Sequence, residues 1–171
     1  MKTRQQQGVV LIMTLVMLVI VSLMAVSSMK TAVSGEVVSG SVRANQLAHQ
    51  AAEAALRYCE RAVDPGTATY TLPSVQAVQA TARWQDVSAT WDAGSAPGYV
   101  FPVPLSVVNT TTTAALTLFK RSPECVVEAL DATGNAYVVT ARGFGPEVEA
   151  PGASSRRPEG SEVFLQSTIE K

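Results

Sequence analysis

The sequence predicts an α+β chain: a long amino-terminal helix, its first half spanning a membrane and its second half packed on a small antiparallel β-sheet. Three observations lead there. Val9 to Met29 is apolar and holds no charged residue. The apolar stripe runs on beyond Met29 in helical phase, and no proline falls between Met1 and Val63. After Thr113 the pattern shifts from helical spacing to short runs with a period of two.

The apolar run comes first. At about 1.5 Å of rise per residue, a helix from Val9 to Met29 spans roughly 30 Å, one hydrocarbon core. In lipid the backbone must satisfy its own hydrogen bonds, and a single segment does so only as a helix. Lys2 and Arg4 precede it and hold that end in the cytoplasm. Simple secretion is the alternative, with Ala25-Val26-Ser27 as the small-residue cleavage site. Two features oppose it. The run is longer than a secretory core, and the stripe continues in phase past Ser27.

That stripe is Val33, Val37, Gly40, Ala44, Leu47, Ala51, Ala54 and Tyr58, spaced 4-3-4-3-4-3-4. It predicts one helix of about fifty residues. Gly35 and Gly40 are its weak points, each costing about 1 kcal/mol against alanine. Asp64-Pro65-Gly66 is the stop signal.

The remainder is one small domain's worth of chain. The 171 residues are 47% hydrophobic and 16% charged, with a formal net charge of -1. A near-neutral chain has no electrostatic footprint for nucleic acid. Ser74 to Trp84 has helical spacing at Val75, Val78 and Ala82 and reads as a second short helix. Ala96-Pro97-Gly98 and Pro102 to Pro104 read as loop, and Trp84 and Trp91 as local core plugs. Leu116 to Lys120, Cys125 to Leu130, Tyr137 to Phe144 and Glu162 to Ile169 read as strands. Tyr137, Val139 and Ala141 share one face, Thr140 and Arg142 the other. Asp131 to Asn135 is a hairpin connection and Pro146 to Gly160 a long polar loop. A meander of three or four strands then buries one face on the outer half of the helix.

Gly8 stands between the basic leader MKTRQQQG and the apolar helix. That order resembles the type III signal of type IV prepilins. The segment Asn45 to Arg57, which contains AHQAAEAALR, is similar to the helix of PilX-type pilus assembly proteins, a family of minor pilins. Phe164 to Thr168 resembles the last strand of the same family. The resemblance covers residues 1 to about 60 well, the last ten residues moderately, and the middle in layout only.

It implies a type IV pilin-like fold with four parts: a leader, 1–8; a transmembrane half-helix, 9–29; a periplasmic half-helix, 30–62; and a globular domain, 63–171. It implies cleavage between Gly8 and Val9 by a prepilin peptidase, then N-methylation of Val9. Glycine suits the cut because a missing side chain admits the protease to the backbone. Two departures stand out. The fifth position after the cut is glutamate in most pilins and is Met13 here. Most major pilins also carry a helix proline that this chain lacks.

Chemistry of other kinds is sparse. There is no G-x-S-x-G and no phosphate loop. His49 and Glu53, one turn apart, form the nearest thing to a metal pair, and they read as a solvated face. Cys59 and Cys125 lack zinc spacing. In an exported chain the two predict one disulfide pinning sheet to helix, the alternative being two buried thiols. No catalytic residue, metal or cofactor is expected, and the chain is read as no enzyme.

The function implied is a minor pilin that primes and assembles the type IV pilus at or near its tip and supports twitching motility and adhesion. Its partners would be other minor pilins, the major pilin, the peptidase and a tip adhesin. It would wait in the inner membrane, single-pass with a periplasmic carboxyl-terminal domain, before entering the extracellular fibre. The alternatives are a minor pseudopilin of type II secretion and a membrane-anchored periplasmic enzyme or binding domain.

Overall fold

The computed structural model describes residues 7–63, 75–79, 81–93, 98–109, 118–152 and 156–170. Several expectations fall partly or wholly outside them: most of the leader, the 64–66 stop, residues 74 and 80 of the second expected helix, residues 96–97 of the expected loop, residues 116–117 of the first expected strand, and part of the 146–160 loop. The chain divides into two compact units, the first closing at Ser41 and the second opening at Val42.

The first unit is helical. It is the start of α1 (Gln7–Val63), a single helix of 57 residues. Every residue from 9 to 41 is exposed. An 18-residue stretch reaches a mean hydropathy of 3.1 with none of it buried. Three hydroxyls in this apolar surface are satisfied locally. Thr14 donates to the Leu11 carbonyl at 2.9 Å, Ser22 to Leu18 at 2.7 Å, and Ser28 to Met24 at 3.0 Å. Such back-bonding lowers the cost of a hydroxyl on an apolar helix surface.

The second unit is α and β packed in two layers. Its sheet runs β1 (Phe101–Pro102), β2 (Glu124–Ala129), β3 (Ala136–Phe144) and β4 (Glu162–Glu170), in that spatial order and antiparallel throughout. The fold is therefore α+β as expected, a long helix on a four-stranded meander. Strand alternation sorts the side chains. Cys125 and Val127 of β2 with Val139 and Ala141 of β3 form one core with Ala55, Cys59 and Val63 of α1 and with Val103. The stacked pair Tyr58 and Phe101, ring centroids 6.2 Å apart, seals its flank.

The helix is turned slightly from its expected face. The buried ridge is Ala48, Ala52, Ala55, Cys59 and Ala62, each no more than 1% exposed. Of the stripe expected to pack, Ala51 is buried at 2% exposed, while Ala44, Leu47, Ala54 and Tyr58 are half-buried beside the ridge. Alanine covers so much of this stretch that hydrophobicity alone does not set the phase. Closeness does. A β-carbon on Gly143 would lie 2.2 Å from the Ala52 amide nitrogen and 2.3 Å from the Ala48 carbonyl oxygen. Only the absence of a side chain on β3 and small residues on α1 let the backbones meet there.

Three further expectations change. The helix expected over 74–84 does not form among the described residues. Instead the Gln76 amide donates to the Val127 carbonyl at 2.9 Å and Gln76 accepts from the Ala129 amide at 2.8 Å. Gln76 thus covers the edge of β2 that β1 leaves open, and only Arg83–Gln85 makes a helical turn. The strand expected at Leu116 to Lys120 is absent from its described part. The Asn109 side chain stands in for a partner strand, accepting from the Phe119 amide at 3.0 Å and donating to its carbonyl at 2.9 Å. Pro102, read as loop, pairs with Glu124 in β1. It lies at the sheet edge, where a missing amide costs no ladder bond.

Candidate functional site: helix start, disulfide and outer sheet face

Gly8 and Val9 lie in the first turn of α1. Val9 is 63% exposed and Met13 67% exposed, both on the apolar surface of the first unit. The remaining features belong to the second unit.

Cys59 and Cys125 are joined, with Cα atoms 6.7 Å apart and both residues fully buried. α1 brings Cys59 to the sheet because it lies on the alanine ridge. β2 turns Cys125 toward it because that position alternates inward with Val127. The closed loop has a sequence separation of 66, and by chain entropy such a cross-link is worth about 4 kcal/mol.

His49 and Glu53 face solvent one turn apart, with His49 Nδ1 3.5 Å from Glu53 Oε1. Arg57 approaches the other carboxylate oxygen at 3.9 Å. The trio forms an exposed charged face, and among the described residues no third carboxylate, thiol or imidazole gathers there to complete a metal site.

The outer face of the sheet, away from the helix, holds buried charges. Arg142 is fully buried. Its Nη2 meets Asp92 at 2.8 Å and Glu162 at 2.6 Å, and its Nε donates to Glu162 at 2.9 Å. Beside it Arg121 reaches Glu124 at 3.4 Å, and Arg156 donates to the same carboxylate. The Arg121 guanidinium sits 3.9 Å from the centre of the Phe144 ring. Burial lowers the Arg121 pKa from the ordinary arginine value, with Glu124 opposing. Further along β2, Glu128 accepts from the Arg83 amide at 2.8 Å and the Trp84 amide at 3.2 Å. That carboxylate fastens the 83–92 segment over the sheet.

Under the segment, Trp91 is fully buried with Val100 and Val126, and Trp84 packs against them. Trp91 is the core plug expected of it. Its ring meets Phe164 edge-on, centroids 5.3 Å apart. Between the segment and β4 lies an open groove of about 270 Å³, lined by Trp84, Val87, Thr140, Phe164 and Gln166. The sequence held one signal for this charged layer. Glu124, Val126 and Glu128 alternate outward along β2, and two acids on one face of a buried strand require partners.

Residues 7–57 match the PilX N-terminal family model. The match spans the exposed apolar stretch of α1 and most of the stretch packed on the sheet. No curated protein and no solved structure matches the chain.

Proposed function

We propose that this chain, a PilX-type pilin by its amino-terminal segment, is a minor pilin that helps prime type IV pilus assembly and stands at or near the fibre tip. The observation that carries the reading is the match over residues 7–57, which lies on a helix whose first part is apolar and wholly exposed. Such a surface needs lipid or other apolar helices around it. A pilin meets both in turn, first the inner membrane and then the helical core of a fibre. The family is one of structural subunits, so the role is assembly and not catalysis.

The steps follow the chain. Residues 1–8 are the leader, removed by a prepilin peptidase between Gly8 and Val9, and the new Val9 amine is methylated. Residues 9–29 hold the subunit in the inner membrane, 30–62 continue the helix into the periplasm, and 63–171 form the exported domain. Other minor pilins and the major pilin pack on the helix, and a tip adhesin is a further partner. Through the fibre the chain supports twitching motility and adhesion.

Mass spectrometry of the amino terminus, on protein from membranes and from sheared pili, tests the reading. Methylated Val9 is the expected result. An intact Met1 to Gly8 leader in mature protein would overturn it. Deleting the chain should remove surface pili and leave type II secretion unchanged. The opposite pattern would assign it to the secretion system instead.

A further inference from the structure

β4 is the last strand of the sheet, and among the described residues nothing pairs with its outer edge. It is also the longest regular edge available, nine residues from Glu162 to Glu170. About half of its amides and carbonyls point away from β3, as antiparallel geometry requires. Exposed edges are ordinarily guarded by a charge, a proline or a bulge. β4 has none of these inside it. Val163 to Ile169 is seven uncharged residues without proline, and each of the nine strand positions from 136 to 144 pairs in unbroken register with it. Charge appears only at its ends, as Glu162 and Glu170. Glu162 is engaged by Arg142, but Asp92 shares that one cation, so this end still carries one acid in excess.

The groove beside it is a second, independent feature. Phe164 and Val87, 38% and 42% exposed, face it with Trp84. An apolar side chain leaning inward from a neighbouring strand would find these surfaces there.

We propose that the free edge of β4 accepts an extended strand from a different polypeptide, one with an uncharged middle and basic residues at its ends. A second copy of the chain is a poor occupant. Antiparallel pairing of two β4 strands about Gln166 sets Glu162 of each against Glu170 of the other. In-register parallel pairing sets each acid against itself. Like charges directly opposite destabilise a ladder, and sliding the copies apart loses ladder residues at both ends. A strand ending in lysine or arginine turns the same two positions into attractions. Backbone pairing supplies affinity, while the end charges and the groove supply selection. The edge would serve a pilus subunit and an anchored periplasmic domain alike, so the proposal stands apart from the pilus reading.

Amide hydrogen exchange on the full chain in detergent micelles tests it, with three synthetic nine-residue peptides as probes. One alternates valine and threonine between lysine ends. The second replaces the lysines with glutamates. The third keeps the lysines and carries a central proline. The lysine-ended peptide should slow exchange at alternate amides of 162–170 by about tenfold or more, and bind about tenfold more tightly than the glutamate-ended one. The proline peptide should do neither. No slowing in β4, slowing that maps elsewhere, or equal responses to all three would overturn the proposal. Slowing in β4 that grows with protein concentration, without peptide, would make a second copy the occupant and overturn it equally.

Discussion

Gly143 on β3 and Ala52 on α1 touch backbone to backbone, with no room between them for a methyl group. Gly143→Ala would bring a β-carbon to 2.2 Å from the Ala52 amide nitrogen. Neither backbone can yield without moving the sheet off the helix, so the expected loss is about 3 kcal/mol, at the upper end for overpacking. Gly35→Ala is the matched control. A β-carbon there meets nothing within 4 Å, and helix propensity improves by about 1 kcal/mol. Chemical denaturation of the two variants should shift the midpoint of the helix-and-sheet unit sharply down for the first and not at all for the second. Equal midpoints would mean the backbones part easily.

The Cys59–Cys125 bond closes the same interface further along the helix. Cys59→Ser and Cys125→Ser should each cost about 4 kcal/mol, and the double variant should cost no more than either. That equality is what one shared bond demands. Labelling of both thiols in the native protein would refute the bond.

How far the sequence carried depends on which force decides each element. Hydrophobic periodicity decides α1 and the strands β2, β3 and β4, and their observed limits sit within a residue of those read from Cys125 to Leu130, Tyr137 to Phe144 and Glu162 to Ile169. It does not decide the helix phase, because alanines ring the segment and the deciding contact is one glycine on a distant strand. Nor does it decide 75–92. That segment is held by backbone bonds of Gln76 to β2 and by the Glu128 carboxylate, which are long-range partnerships with no local signature. Arg142 was placed on the correct face, but its burial depends on that same segment folding over it.

Arg142 is therefore a sensitive probe of the outer layer. Arg142→Ala leaves Asp92 and Glu162 without their cation and empties a buried volume beside Phe144, 5.2 Å away. Breaking a buried pair from one side costs about 3 to 5 kcal/mol, and the partial exposure of both acids places the expectation at about 3. Glu162→Gln in the same background should add little, since its partner is already gone. Full additivity of the two in urea melts would show that they do not act on each other.

The β2–β3 hairpin should loosen in acid. Asp131 has its pKa lowered, first by the Thr133 hydroxyl, against burial, which raises it, and then by the amides of Ala136, Asn135 and Gly134. A lowered carboxylate stabilises the fold fully above its ordinary value of 3.8, and the contribution fades as pH falls through the lower folded value. Exchange of the Asn135 and Ala136 amides should therefore speed up relative to the core of β3 only in that acid range. Asp131→Asn should remove this pH dependence. A change centred near neutrality would point to another group.

On the pilus reading proposed above, Met13 bears on where the subunit sits. In the pilin family, as the sequence resemblance implies, glutamate at this place meets the amine of the subunit ahead of it in the fibre. A lone carboxylate in lipid costs several kcal/mol unless that amine pairs with it. A subunit that enters first has no such neighbour. Methionine avoids the cost, and Met13 is 67% exposed on an apolar surface. The chain should therefore lie at the start of the fibre or within its first few subunits. Immunogold labelling of sheared pili should mark ends alone. Regular label along the shaft would show that subunits with methionine here assemble beside any neighbour, and that some other part of the chain sets position.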